Sequence, residues 1–341
     1  MTSPAALRAP SAVGDPASSI RPIFVLSAPR SGSTLVQRML ATHDGVATAA
    51  EPWLLLPLLA APRTDLPEVA SWQRNAAVGI TEFAKDHLPG GMRDFDEVMR
   101  GAALDLYRRV AGPDATHFVD KTPGYVVIAD DLARVFPEAT IVFLWRNPLG
   151  ILASIIETFD GGAFRPYHQA IPLFDGPARM LDSQLRLGDR ATPVRFEDMV
   201  ARDPATLARL SAATGLTYTA DTVQQFSSVD VSGFYGDPTG VQRYRELSSE
   251  PNAKWRTVLA NPVRRAWAAR YLRWLGHERL ALMGYDLDAL LGELAALPPA
   301  PAGEARRAAR DAAGLGASML RDTVKARAAF SSISTWRRLL P

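Results

Sequence analysis

Ile23-Phe24-Val25-Leu26-Ser27-Ala28-Pro29-Arg30-Ser31-Gly32-Ser33-Thr34-Leu35-Val36-Gln37-Arg38-Met39-Leu40 is the stretch whose reading decides the fold. Its first four residues are continuously apolar, as in a strand buried on both faces. The run breaks at Pro29-Arg30-Ser31-Gly32-Ser33-Thr34, and apolar residues return at 35, 36, 39 and 40, the spacing of one helix face. A strand, a tight loop and a helix with hydroxyls in its first turn aim successive backbone N–H groups, and the positive end of the helix dipole, at one spot. That arrangement is an oxyanion site.

The mononucleotide form of such a loop, G-x-x-x-x-G-K-[ST], puts a lysine on the β- and γ-phosphates and a hydroxyl on magnesium. Here Ser27 or Ala28 stands for the first glycine, Gly32-Ser33-Thr34 replaces the Gly-Lys-Ser/Thr ending, and the cation comes earlier, at Arg30. Without the lysine the loop suits a smaller anion than a metal-bound triphosphate. Taken alone, it also fits a plain strand–turn–helix.

Further segments extend the pattern. Ala139-Thr140-Ile141-Val142-Phe143-Leu144-Trp145 reads as a second buried strand ending in Arg146-Asn147-Pro148, with a helix from about Leu149 carrying Ser154. Arginine at a strand's end suits phosphate, because its planar fork donates two parallel hydrogen bonds. His117-Phe118-Val119-Asp120-Lys121-Thr122-Pro123 ends a third strand at a lysine. Val46-Ala47-Thr48-Ala49-Ala50 is a short strand delivering Glu51. The coarse order is strand 23–27, helix 33–42, strand 46–50, helical region 54–110, strand 116–120, helix 124–135, strand 140–145 and helix 148–159. A helix near 177–188, strand 193–196 and further helices follow. Strands alternating with helices imply an α/β fold, a central parallel sheet flanked by helices on both faces. Ligands in such sheets bind outside the strands' carboxyl ends, and Arg30, Glu51, Lys121 and Arg146 all fall at or just past predicted strand ends.

Ala28 to Leu35 resembles the 5′-phosphosulfate loop of the sulfotransferases that use 3′-phosphoadenosine 5′-phosphosulfate (PAPS). Arg146 with Ser154 eight residues on is similar to that family's 3′-phosphate site, with Asn147 where the family usually has Asp. Pro193-Val194-Arg195-Phe196-Glu197-Asp198-Met199 resembles its strand-then-Tyr-Glu-Asp-Leu segment, with Phe196 for tyrosine and a supporting role only. Ser248-Ser249 through Asn252-Ala253-Lys254-Trp255-Arg256 resembles the loop that closes over the donor; Trp255 reads equally as an adenine-stacking ring or as core. The resemblance covers roughly residues 20 to 290 and implies a P-loop-like sulfotransferase fold and in-line sulfonate transfer from PAPS to a hydroxyl. Arg30, Ser31, Gly32, Ser33, Thr34, Arg146, Ser154, Lys254 and Trp255 would hold the donor, with no metal.

The implied reaction needs a base, and the candidates are His43, Glu51, His117 and Lys121. A carboxylate beside apolar residues is a stronger base near neutral pH, and in tyrosylprotein-type and several bacterial sulfotransferases a glutamate at this spacing is the base. Glu51 is therefore expected as base, against a helix-capping or salt-bridged carboxylate. Lys121 resembles the family's Lys-Thr-Pro or Lys-Asp-Pro element, where lysine protonates or stabilises the bridging oxygen of the leaving phosphate; the alternative is a solvated strand-end lysine. His43 reads as a structural turn, and His117 would emerge at the wrong end of the sheet.

The 341 residues carry a formal charge of +2, 47% hydrophobic residues, no cysteine and five histidines. A disulfide framework and a thiolate metal site are excluded, and no short-range His/Asp/Glu cluster points to a metal. Residues 1–19 read as a disordered arm, not a signal peptide; residues 20–296 read as the sulfotransferase domain. Residues 297–341 read as a Pro hinge and basic helical tail, with eight Arg or Lys against three Asp or Glu from 302 on. Leu315, Met319, Val324, Phe330, Ile333 and Trp336 are its expected apolar face. The tail packs back on the domain or on a dimer mate, or is a basic amphipathic segment for a membrane surface or partner. No stretch approaches a membrane span, no basic stripe marks the main domain for nucleic acid, and a cytoplasmic bacterial enzyme is expected. Its acceptor is a small-molecule, sugar or lipid-linked hydroxyl, lined by region 54–110 and the loop Gly161–His168. Two other readings stand beside transfer: a non-catalytic nucleotide-binding protein of the same fold, and a P-loop kinase.

Overall fold

In the computed structural model, which describes residues 20–63, 71–169, 171–231, 254–298 and 305–328, the apolar runs form a five-stranded parallel sheet. Strands β1 (Arg21–Ser27), β2 (Val46–Thr48), β3 (His117–Asp120), β4 (Thr140–Trp145) and β5 (Ala191–Arg195) lie in the order β2-β3-β1-β4-β5. Every pairing is parallel, with Ile23 opposite Val119 on one side and Thr140 on the other. All five carboxyl ends therefore share one rim. The chain leaves β1 toward β2 and later returns to place β4 on β1's other side, so the order switches beside β1, where a ligand crevice opens.

Alternation of side chains explains the continuous apolar runs. Ile23, Val25, Val119, Val142 and Leu144 enter one core with Val36, Met39 and Leu40 of α1 (Ser33–Leu40) and with Phe196 and Met199 of α8 (Phe196–Ala201). Phe24, Leu26, Phe118, Ile141, Phe143 and Trp145 enter the other. That larger core is covered by α2 (Leu55–Ala60), α4 (Met92–Ala111), α5 (Ala129–Val135), α6 (Pro148–Thr158), α7 (Gly176–Leu187) and α12 (Pro262–Leu282). Each fully buried aliphatic or aromatic side chain contributes about 1.5–3 kcal/mol. The other helices are α3 (Ser71–His87), α9 (Pro204–Thr214), α10 (Ala220–Gln224), α11 (Trp255–Val258), α13 (Leu287–Ala295) and α14 (Ala305–Ala328).

Several sequence boundaries shift. Region 54–110 divides into α2, α3 and α4, and β2 stops at Thr48, because the Ala49 carbonyl is taken by a side chain, Gln37. Residues 123–127 form a 3₁₀ turn ahead of α5, since Pro123 lacks an N–H and fixes the entry. Helix α14 packs on the domain. Arg264 of α12 donates from Nε to Asp311 at 2.7 Å, both nearly inaccessible, and Gly314 leaves room for the Phe164 carbonyl. Leu315 is half-buried against the core and Met319 exposed. The arm 1–19, Ser248, Ser249, Asn252 and Ala253, most of the hinge, and the side chains of Val324, Phe330, Ile333 and Trp336 lie outside the described residues. No described helix is long and apolar enough to cross a membrane.

Candidate active site

The β1–α1 loop is shaped by two left-handed residues, Arg30 at φ +69° and Gly32 at φ +80°. Gly32 is required twice over, by that conformation and by space: a Cβ there would lie 2.2 Å from the Phe196 ring. A non-glycine residue such as Arg30 in this region is a strained position of the kind found at ligand sites. No side chain caps α1, and the Ser27 and Ser31 hydroxyls are buried without a hydrogen-bond partner among the described residues. Buried polar groups are normally satisfied. An oxyanion seated on the helix's first turn would accept from them, so the loop fits an anionic group.

Arg146 follows β4 and is buried. Its guanidinium lies 4.7 Å from the Phe196 ring centroid and donates to the Arg30 carbonyl at 2.8 Å. Asn147 replaces the family's Asp without loss of the local fold: its side chain accepts from Leu149 N and caps α6. Its own N–H donates to Glu197, which also accepts from Tyr285 at 2.6 Å. Sequence reading pairs Ser154 with Arg146 and puts Arg30 elsewhere. In the structure Ser154 Oγ accepts from Arg30 Nε at 3.0 Å. The side chain of Arg30 runs over α6 and also lies 5.9 Å from the Phe159 ring. Arg30, Arg146 and Ser154 thus form one cationic cluster.

Glu51 and Lys121 meet. Lys121 Nζ donates to Glu51 Oε1 at 2.6 Å, with the lysine side chain 2% exposed and the carboxylate 14%. A buried ammonium is costly unless paired, and Glu51 is that partner. The Glu51 segment is anchored on both sides. Gln37, on the helix that begins at the phosphate loop, donates to Ala49 O and Thr48 Oγ1, each at 2.7 Å. Beyond Glu51, Trp53 at φ +53° lays its ring where a Cβ on Gly124 would stand. Leu55 N donates to Tyr125 Oη at 2.9 Å.

Beneath the pair lies a carboxylate given no role in the sequence reading. Asp120 ends β3, is fully buried, and accepts from Tyr107 at 2.6 Å, Tyr125 at 3.1 Å and Thr122 at 3.0 Å. Burial pushes it up to about 6, against those three hydrogen bonds and the Lys121 charge. Burial, with Asp120 next, also raises the Tyr107 and Tyr125 phenols, which stay protonated donors. A charged residue closing an apolar strand, as in Phe118-Val119-Asp120, was the available signal.

Three further candidates sit away from the rim's polar groups. Trp255 is 2% exposed within the larger core, so neither ring face is open to an adenine; the start of α11 turns it inward. Lys254 is exposed and pairs with Glu157 of α6 at 2.8 Å. In the loop Gly161–His168, Phe164 and Tyr167 are buried against Trp267 rather than lining a pocket, leaving Arg165 and His168 exposed. His43 accepts from Gly45 N in the turn before β2, and His117 starts β3, so both sit at the rim opposite Glu51. Among the described residues no cluster of three His, Asp or Glu is arranged to hold a metal.

Comparison with known proteins agrees with this geometry. The model of the family described as "Sulfotransferase family" matches residues 22–220, more than half of the chain and all four cationic and carboxylate positions at the rim. Nodulation protein NoeE of Sinorhizobium fredii is 33% identical over 138 residues, 40% of this chain and 31% of that protein. Protein-tyrosine sulfotransferase 1 of Danio rerio is 25% identical over 182 residues, 52% of this chain and 48% of that protein. The chain thus spans about a third to a half of the length of these relatives. A solved sulfotransferase domain from the curacin biosynthetic pathway aligns at 19% identity with a TM-score of 0.48, covering 70% of this chain and 91% of that domain. With an oxyanion loop, two arginines and a carboxylate–lysine pair gathered on one rim of a parallel sheet, and a family match across them, the chain belongs to the sulfotransferase family.

Proposed function

We propose that this chain transfers a sulfonate group from PAPS to a hydroxyl of a small-molecule, sugar or lipid-linked acceptor, with Glu51 as the base. The observation that carries the reading is the 2.6 Å contact of Glu51 with the buried Lys121, on the rim that also holds the phosphate loop. The donor supplies a sulfonate on a phosphate leaving group. Arg30, the Ser27 and Ser31 hydroxyls and the first-turn amides of α1 bind that anionic end. Arg146, with Ser154 close by in the same cluster, binds the 3′-phosphate. Lys121 supplies a positive charge for the negative charge that accumulates on the leaving oxygen, an electrostatic contribution of the kind that dominates many enzymes. Glu51 removes the acceptor's proton as its oxygen bonds to sulfur; when Lys121 turns to the phosphate, Glu51 Oε1 is released for that role. The half-exposed Phe159 ring beside Arg30 gives the acceptor an apolar edge.

Calorimetry comparing 3′-phosphoadenosine 5′-phosphate with AMP tests the donor assignment. Losing the 3′-phosphate deprives buried Arg146 of a charge-assisted partner, about 2–4 kcal/mol, so AMP should bind at least tenfold more weakly. Equal affinities would remove the assignment. Labelled sulfonate transfer from PAPS to 4-nitrophenol, an alkyl glycoside and a tyrosine peptide then sorts the acceptor class.

A further inference from the structure

The segment that carries Glu51 leaves the sheet after Thr48 and is hydrogen-bonded on either side of the glutamate. On one side Gln37 holds the Ala49 carbonyl. On the other, the first amide of α2, Leu55 N, donates to the Tyr125 hydroxyl, and that hydroxyl donates in turn to Asp120 Oδ2. The phenol is completely buried, and its oxygen uses one lone pair and its one proton in these two bonds. Asp120 is the residue before Lys121, so the chain of bonds runs from the base's segment to the strand end that carries its partner. Tyr107, on α4, donates to the same Asp120 oxygen, and the described residues show no hydrogen bond from its hydroxyl to the Glu51 segment. Two tyrosines and Thr122 therefore satisfy one buried carboxylate, and among the described contacts one of the tyrosines also bonds the segment that follows Glu51.

We propose that Tyr125, held by Asp120, is a positioning residue that fixes the Glu51 segment over Lys121. The inference rests on Glu51 being the base. A carboxylate displaced by about 1 Å from its working position loses on the order of 10²-fold in rate, so the hydroxyl of Tyr125 matters to turnover although it touches no reactant. The groups facing Asp120 are Tyr107 from α4, Tyr125 and Thr122 from the turn after β3, and Lys121 next in the chain. Among the described contacts, only the Tyr125 bond continues to Leu55.

The test compares Tyr125→Phe with Tyr107→Phe, which removes an equally buried hydroxyl from the same carboxylate. In the free protein, amide hydrogen exchange at Leu55 should accelerate about tenfold in Tyr125→Phe and stay at the parent rate in Tyr107→Phe. With PAPS and 4-nitrophenol, Tyr125→Phe should lower kcat about ten- to a hundredfold with KM for PAPS little changed, while Tyr107→Phe lowers stability but leaves kcat within about threefold. In a Glu51→Gln background, Tyr125→Phe should cost nothing further, since there is no base left to position. Equal exchange at Leu55 in both variants, equal kcat losses, or the same loss with and without Glu51 overturns the inference. A Glu51→Gln protein that turns over at the parent rate overturns the base assignment instead, and leaves the exchange experiment to judge the anchor by itself.

Discussion

Replacing Gly32 by alanine tests the geometry of the phosphate loop at its tightest point. The alanine must adopt φ near +80°, which costs a side-chain-bearing residue about 1–2 kcal/mol. Its methyl would also begin 2.2 Å from the Phe196 ring, well inside contact distance, and that ring is buried between the loop and Arg146. Forcing a ring aside in a packed core costs about 1–3 kcal/mol, so Gly32→Ala should lower unfolding stability by about 2–5 kcal/mol in total. The same displacement removes the surface on which the Arg146 guanidinium lies, so affinity for 3′-phosphoadenosine 5′-phosphate should fall at least tenfold. Urea unfolding and calorimetry measure both. Adding Phe196→Leu should restore the steric share but not the conformational one. If Gly32→Ala unfolds within about 0.5 kcal/mol of the parent and binds the nucleotide equally well, the loop is not built as described.

Two further perturbations reach different parts of the molecule. Asp120 is raised from 3.8 to about 6 in the folded state, so the folded protein holds that proton more tightly than the unfolded chain. The associated stability is complete below about pH 4 and lost as pH rises through about 6, roughly 3 kcal/mol in all. Asp120→Asn should therefore gain on the parent across that window in urea unfolding, and parallel curves would contradict the burial argument. Asp311→Ala strands the buried Arg264 charge and should cost about 3–5 kcal/mol, whereas a Leu pair at 264 and 311 should recover most of it; a cost below about 1 kcal/mol would mean that α14 is not docked through this pair.

The sheet was legible because β1, β3 and β4 are apolar runs ending in Ser27, Asp120 and Trp145, with shorter strands ending at Thr48 and Arg195, and parallel alternation with helices forces such ends to one rim. The residues just past those ends, Arg30, Glu51, Lys121 and Arg146, were legible for the same reason. What escaped the sequence depends on partners far along the chain. Phe196 beneath Gly32, and Tyr107 on Asp120, are contacts between elements whose packing no local period encodes. The pairing of Ser154 with Arg30 follows from the left-handed turn at Arg30, which a spacing rule does not see. Phe164 and Tyr167 follow two glycines and read as pocket-lining aromatics, but Trp267, Phe174 and Tyr271 bury that cluster. Trp255 was equally consistent with ligand and core until the packing of α11 decided it.

The central claim is that Glu51 takes the acceptor's proton. Glu51→Gln preserves shape and removes the proton acceptor, so the decisive measurement pairs calorimetric affinity for 3′-phosphoadenosine 5′-phosphate with single-turnover sulfonate transfer from PAPS to 4-nitrophenol. Unchanged nucleotide affinity with transfer slowed about 10²- to 10⁴-fold is the predicted result; normal affinity with transfer at the parent rate would contradict it.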